Sequence, residues 1–205
     1  MSRLKKLAGE TALYGVSSIF GRFISYLLVP IYTGVFDPAE YGIVTELYAL
    51  VAFFIVVYTF GMETAFFRFA SNQKGDEDKV YNNSFTFVFI ISILLSCSLA
   101  FSATSLVELM NYPGKENYIY WFSAILALDA IMAIPFARLR LEKKALKFAT
   151  AKLINIGINI SLNLFFILFC QKIYEGDILP SFAPIIDSFY DPTIGVGYVF
   201  ISNLI

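Results

Sequence analysis

Apolar runs long enough to cross a bilayer follow one another along nearly the whole 205-residue chain. A helix needs roughly 20 predominantly apolar residues to span the hydrocarbon core. In that solvent the backbone must satisfy its own hydrogen bonds, which makes each run of this length a helix. Five runs qualify, at residues 11–35, 41–69, 84–107, 118–137 and 152–170. A sixth begins near residue 194 and reaches 205, too short to span. The expected fold class is an all-α polytopic membrane protein. The segments between the runs carry the breakers that end helices. These are "DPAEYG" (37–42), "NQKGDEDK" (72–79), "NYPGKEN" (111–117) and a longer linker, 171–193, with Pro180, Pro184 and Pro192.

Composition agrees. Hydrophobic residues make up 58% of the chain and charged residues 15%, against about a quarter charged in soluble domains. The net charge of −1 says nothing about partners, but the placement of charge does. Alternate loops place Arg3, Lys5, Lys6, Arg68, Lys74, Lys79, Arg138, Arg140, Lys143, Lys144, Lys147 and Lys152 on one side. The other side holds Lys115 and Lys172. Excess Lys and Arg mark the cytoplasmic face, so the N-terminus is expected there and the Pro-rich linker outside. The basic stretch 138–152 reads as a topology anchor against anionic headgroups. The opening "MSRLKKL" leads into a run too long for a signal-peptide core of about 7–15 residues, and reads as a retained anchor helix.

There is no histidine, which removes the commonest general base and metal ligand. Cys97 and Cys170 stand alone inside apolar runs, with no CxxC pair or disulfide framework. The external linker offers only Glu175, Asp177, Asp187 and Asp191, with no nucleophile–base arrangement. An enzyme, a metal site and a cofactor are therefore not expected.

Three polar features lie deep in the runs. The first is Arg22. Eleven residues from Thr11, at 1.5 Å each, put it about 17 Å into a core about 30 Å thick. A charge at that depth costs from about 2.5 kcal/mol upward, so it should face protein or water. Thr11, Tyr14, Ser18, Arg22 and Ser25 share one helix face. The second is a carboxamide stripe, Asn155, Asn159 and Asn163, one per turn. It reads either as interhelical hydrogen bonding or as a cavity wall for polar cargo. The third is Asp129, at a depth similar to that of Arg22. It is a charge partner for Arg22, a proton or cation site, or both. Glu46, Glu63 and Arg68 are shallower and read as interfacial charges, Glu46 with an ion-site reading beside it. Ser92, Ser96 and Cys97 read as packing surface.

The stretch "LKKLAGETALYGVSSIFGRFISYLLVPIYTGVFDPAEYGIVTELY" resembles the opening of the Wzx-type oligosaccharide-lipid flippases, members of the multidrug/oligosaccharidyl-lipid/polysaccharide superfamily. "GMETAFFRFA" (61–70) and "IPFARLRLEKKALKFATAKLINIGINI" (134–160) are similar to the same family. The resemblance implies two helical lobes around a cavity that opens alternately to each side of a bacterial cytoplasmic membrane. It implies a cargo of oligosaccharide on polyprenyl pyrophosphate, moved from the inner to the outer leaflet, and no nucleic-acid partner. It also implies a pyrophosphate-binding role for Arg22, with Ser18 and Ser25 as neighbours and sugars met by Asn155, Asn159 and Asn163. Guanidinium matches phosphate oxygens in a fork geometry. The length implies one lobe, completed by a C-terminal lobe or a second half-chain. A cation or multidrug antiporter of the same superfamily is the alternative. Asp129 favours it and Arg22 opposes it.

Overall fold

The computed structural model describes residues 14–16, 19, 23–24, 26–72, 76–176 and 178–205. Among these there is no strand. The helices are α1 (Tyr26–Val35), α2 (Pro38–Thr59), α3 (Met62–Asn72), α4 (Glu77–Phe101), α5 (Ala103–Leu109) and α6 (Glu116–Leu141). Then come α7 (Ala145–Tyr174) and two short ones, α8 (Ala183–Ile186) and α9 (Tyr198–Leu204). Of the described helices, α2, α4, α6 and α7 are long and apolar enough to cross a membrane. The protein is an all-α polytopic membrane protein.

The helices depart from the apolar runs at their ends, for physical reasons. Helix α4 starts at Glu77, well before the apolar stretch. Glu77 and Asp78 lie in its first turn, where carboxylates complement the positive end of the helix dipole. The second run is two helices, because Phe60 and Gly61 both take left-handed backbone angles, φ 50° and 67°. Glycine accepts this freely, but a phenylalanine there is strained by about 1–2 kcal/mol. The corner separates the apolar α2 from the shorter, amphipathic α3. Helix α6 runs through Pro135 without a break and ends at Leu141. The Lys144 amide donates back to the Leu139 carbonyl at 2.9 Å, and Lys143 sits left-handed at φ 57°. This is the 6→1 closure that ends helices, and α7 begins at once. The Pro-rich linker is not open loop either. It winds through tight helical turns at Pro180–Phe182 and Pro192–Gly197, with α8 between them.

The chain divides into two compact units. One comprises Met1–Val16 and Glu46–Thr150. Its centre is the packing of α4 on α6. Ser84, Val88 and Ser92 form a buried small-residue stripe on α4, and small residues let membrane helices approach closely. Leu126, Ala130, Ile134 and Ala137 are fully buried on α6. A relay of hydroxyls crosses this unit. Ser96 donates to the Ser123 carbonyl at 2.8 Å. A hydroxyl has one hydrogen, so the 3.0 Å contact between Tyr58 and Ser96 must have Tyr58 as donor. At the end carrying the basic turn, Phe66 and Ala70 of α3 pack on Ala137, with Phe67, Val80, Tyr81 and Leu141 around them.

Ion pairs ring that cluster. Arg140 bonds Glu63 of α3 at 2.6 Å, and Arg138 bonds Asp78 of α4 at 2.7 Å. Arg138 also bonds Glu142 at 2.8 Å, and Glu142 takes Lys144 as well. The Arg138 guanidinium lies over the Tyr81 ring at 4.5 Å. Such exposed pairs contribute about 0–1 kcal/mol each. Their role is to pin three helix ends to one another. The other unit, Ser17–Thr45 and Ala151–Ile205, is built around the carboxamide stripe described below.

Two predictions follow from this unit's polar contacts. Ser96→Ala strands the buried Tyr58 hydroxyl, whereas Tyr58→Phe leaves Ser96 bonded to Ser123. Ser96→Ala should cost about 1–3 kcal/mol and Tyr58→Phe about 1 kcal/mol or less, read by unfolding in mixed micelles. Equal costs would contradict the donor order. The second concerns Glu142, whose carboxyl lies below the usual carboxylate range because Lys144, and then Arg138, bond it. A depressed folded value stabilises above the unfolded value of about 4.3 and is lost as pH falls through the folded one. Amide exchange in the α6–α7 turn, corrected for its intrinsic rate, should rise as pH drops below about 4. Glu142→Gln should flatten that rise.

Candidate functional site

The carboxamide stripe folds into a hydrogen-bond ladder within the second unit. Asn163 is 1% exposed, so its three main hydrogen-bonding groups need partners inside the protein. Its Oδ1 accepts from the Tyr32 hydroxyl of α1 at 2.9 Å. Its Nδ2 donates to the Asn159 carbonyl at 2.8 Å and to Asn159 Oδ1 at 3.2 Å, one turn back on α7. Asn159 Nδ2 in turn donates to the Ser202 carbonyl at 3.1 Å and to Asn203 Oδ1 at 3.3 Å, both on α9. Three helices are thus joined through two asparagines. The Ser202 hydroxyl is buried beside them with no hydrogen-bond partner among the described residues. Asn155, one turn further along α7, is exposed and makes no hydrogen bond among the described residues.

Just beyond the ladder, α7 widens into a π turn at Phe165–Cys170. Such turns are rare and occur mostly as single-turn bulges inside α-helices. Phe166 stacks on Tyr198 with centroids 4.8 Å apart, and Tyr198 stacks on Tyr190 at 4.9 Å. The Tyr198 hydroxyl accepts from the Asp191 amide at 2.8 Å. The Asp191 carboxylate accepts from the Thr193 amide and hydroxyl at 2.9 and 2.7 Å. Those two bonds hold its carboxyl below the usual range. They also fix the approach to α9, and so the height at which Ser202 and Asn203 meet Asn159.

The acidic candidates belong to the other unit. Glu46 is exposed on α2 and accepts from the Tyr112 hydroxyl at 2.6 Å. That bond pushes the Tyr112 phenol upward and keeps it a donor. Asp129 lies on an exposed side of α6 and is engaged in an interaction of its own. Arg22, Ser18 and Ser25 lie outside the described residues, as do Thr11 and Lys74. Of the sequence candidates, the structure therefore brings Asn159 and Asn163 together and leaves Asn155 exposed on the same helix.

Several partners escaped the sequence reading. Tyr32 was within its reach, because it follows Ser18 and Ser25 at a spacing of seven and so continues their helix face. Ser202 and Asn203 sit in the short last run, where no period is established. Tyr112 is in a loop, and nothing local links it to Glu46.

A family described as "Polysaccharide biosynthesis protein" matches residues 31–174. The match takes in Glu46, Asp129 and the whole stripe from Asn155 to Asn163. No curated protein and no solved structure gives a significant match.

The ladder makes a prediction about stability alone. Asn163→Ala removes the acceptor of Tyr32 and both donors to Asn159, and should cost about 1–3 kcal/mol. Asn155→Ala should cost nothing measurable. Thermal unfolding of the purified variants in detergent checks both, and equal losses would refute the division of roles.

Proposed function

The chain belongs to the polysaccharide biosynthesis protein family, and on that premise we propose that it carries a lipid-linked oligosaccharide across a membrane. The observation that supports this most is the family match over residues 31–174 on a chain whose described helices include four of spanning length. The cargo is an oligosaccharide on polyprenyl pyrophosphate, and the direction is from the inner to the outer leaflet of a bacterial cytoplasmic membrane. The N-terminus and the basic α6–α7 turn face the cytoplasm, on the Lys and Arg asymmetry.

In this reading Arg22 takes the pyrophosphate. A guanidinium offers paired donors to a dense anion, and the attraction is strongest where water does not screen it. Ser18 and Ser25, one turn away on either side, add hydroxyls. Asn155 is the stripe member whose carboxamide is available to a sugar hydroxyl. Asn159 and Asn163 hold the helices that shape its surroundings and contribute to cargo contact through that shape. The cavity closes only with a second lobe, from a C-terminal continuation or a second half-chain, and alternates between the two sides.

The antiporter alternative would place the decisive charge at Asp129 and would make Arg22 dispensable. Transport of lipid-linked oligosaccharide in cells depleted of their own carrier tests both. Arg22→Ala should abolish it at unchanged membrane levels, while Arg22→Lys should retain part, since an ammonium keeps the charge but loses the fork. Full transport by Arg22→Ala would refute the phosphate role. Resistance to organic cations that depends on Asp129 and not on Arg22 would favour the antiporter.

A further inference from the structure

The segment between α7 and α9 is unusual for a connection that leaves a membrane. Ile178, Phe182, Ile185 and Phe189 are 39%, 50%, 58% and 49% exposed, and Leu179 is exposed beside them. Loops facing water are normally polar. A contiguous exposed apolar surface of this kind marks an interaction site. The segment is also ordered from beneath. Residues 183–186 pack against the end of α7 at 171–174, and Ile173, Ile186 and Tyr190 are buried there.

What covers the outer face can be read from its continuation. Phe189 stacks on Phe165 of α7, with rings 8° from parallel and centroids 6.3 Å apart. Phe165 stacks in turn on Phe169. Both α7 rings are exposed on a membrane-spanning helix, and Phe165 lies about two turns before Lys172, the first charge at that end. Phe189 therefore sits level with exposed rings inside the apolar stretch of α7. Along the sequence from 171 to 193 the charged residues are Lys172, Glu175, Asp177, Asp187 and Asp191, a mainly acidic set that disfavours an anionic surface.

We propose that residues 178–189 are a membrane-surface element. Their Ile, Leu and Phe side chains are seated in the headgroup–acyl boundary of the leaflet distal to the basic α6–α7 turn, with zwitterionic lipid as the partner. Interfacial segments bind through buried apolar area, and aromatic rings favour that depth. The element extends the lipid contact of α7 sideways and anchors the entry to α9.

The test uses the full chain, purified and reconstituted in phosphatidylcholine vesicles. Trp121 is the sole tryptophan, so Phe182→Trp, Ile185→Trp and Ser181→Trp are made separately with Trp121→Phe. Phosphatidylcholine brominated on its upper acyl carbons should quench the first two strongly, and iodide should quench them several-fold less than Ser181→Trp. In case Trp121→Phe impairs folding, Ile185→Cys in a Cys97→Ala chain carries a fluorophore instead, with Cys170 fully buried. Iodide quenching equal at all positions would overturn the proposal, because the segment would face water. Shielding from both iodide and bromolipid would also overturn it, because protein, a second copy or another lobe, would cover the face.

Discussion

The bond from the Tyr32 hydroxyl to Asn163 Oδ1 carries more than its own energy. A carboxamide in an apolar interior costs several kcal/mol if any group goes unpaired, and about 1 kcal/mol is gained when all are paired. Asn163 is therefore less a glue than a filter. Arrangements of α1 and α7 that deny it Tyr32 are heavily penalised, whereas a leucine at the same place would accept many. Asn159 extends the filter to α9 through Ser202 and Asn203. The Tyr58–Ser96–Ser123 relay applies the same logic within its own unit.

Charges and carboxamides divide the labour by depth. The described ion pairs gather around the ends of α3, α4 and α6, where water lowers both their cost and their worth. The hydrogen bonds that link Tyr58 to Ser96 and Tyr32 to Asn163 and Asn159 join neutral groups.

Much of this was legible in the sequence, and the reason differs by feature. The spanning helices were readable because hydrocarbon permits so few alternatives. The Asn155–Asn163 period placed three carboxamides on one face, but periodicity cannot say what lies opposite a face. The partners of Asn159 come from 43 and 44 residues away and that of Asn163 from 131. The break after Thr59 was hidden because Phe60 carries no sequence signal for a left-handed angle, and only Gly61 hinted at it. The linker after α7 was misleading in the opposite way. Its prolines announce a loop, although Ile178, Phe182, Ile185 and Phe189 recur every three or four residues.

The corner at Phe60–Gly61 has a mechanical meaning. Two successive left-handed residues leave no slack between α2 and α3, and a phenylalanine ring makes the first of them stiff. Glu63 lies three residues past Phe60, so its bond to Arg140 ties the corner itself to the end of α6, and Phe66 and Ala70 on Ala137 hold the rest of α3 there.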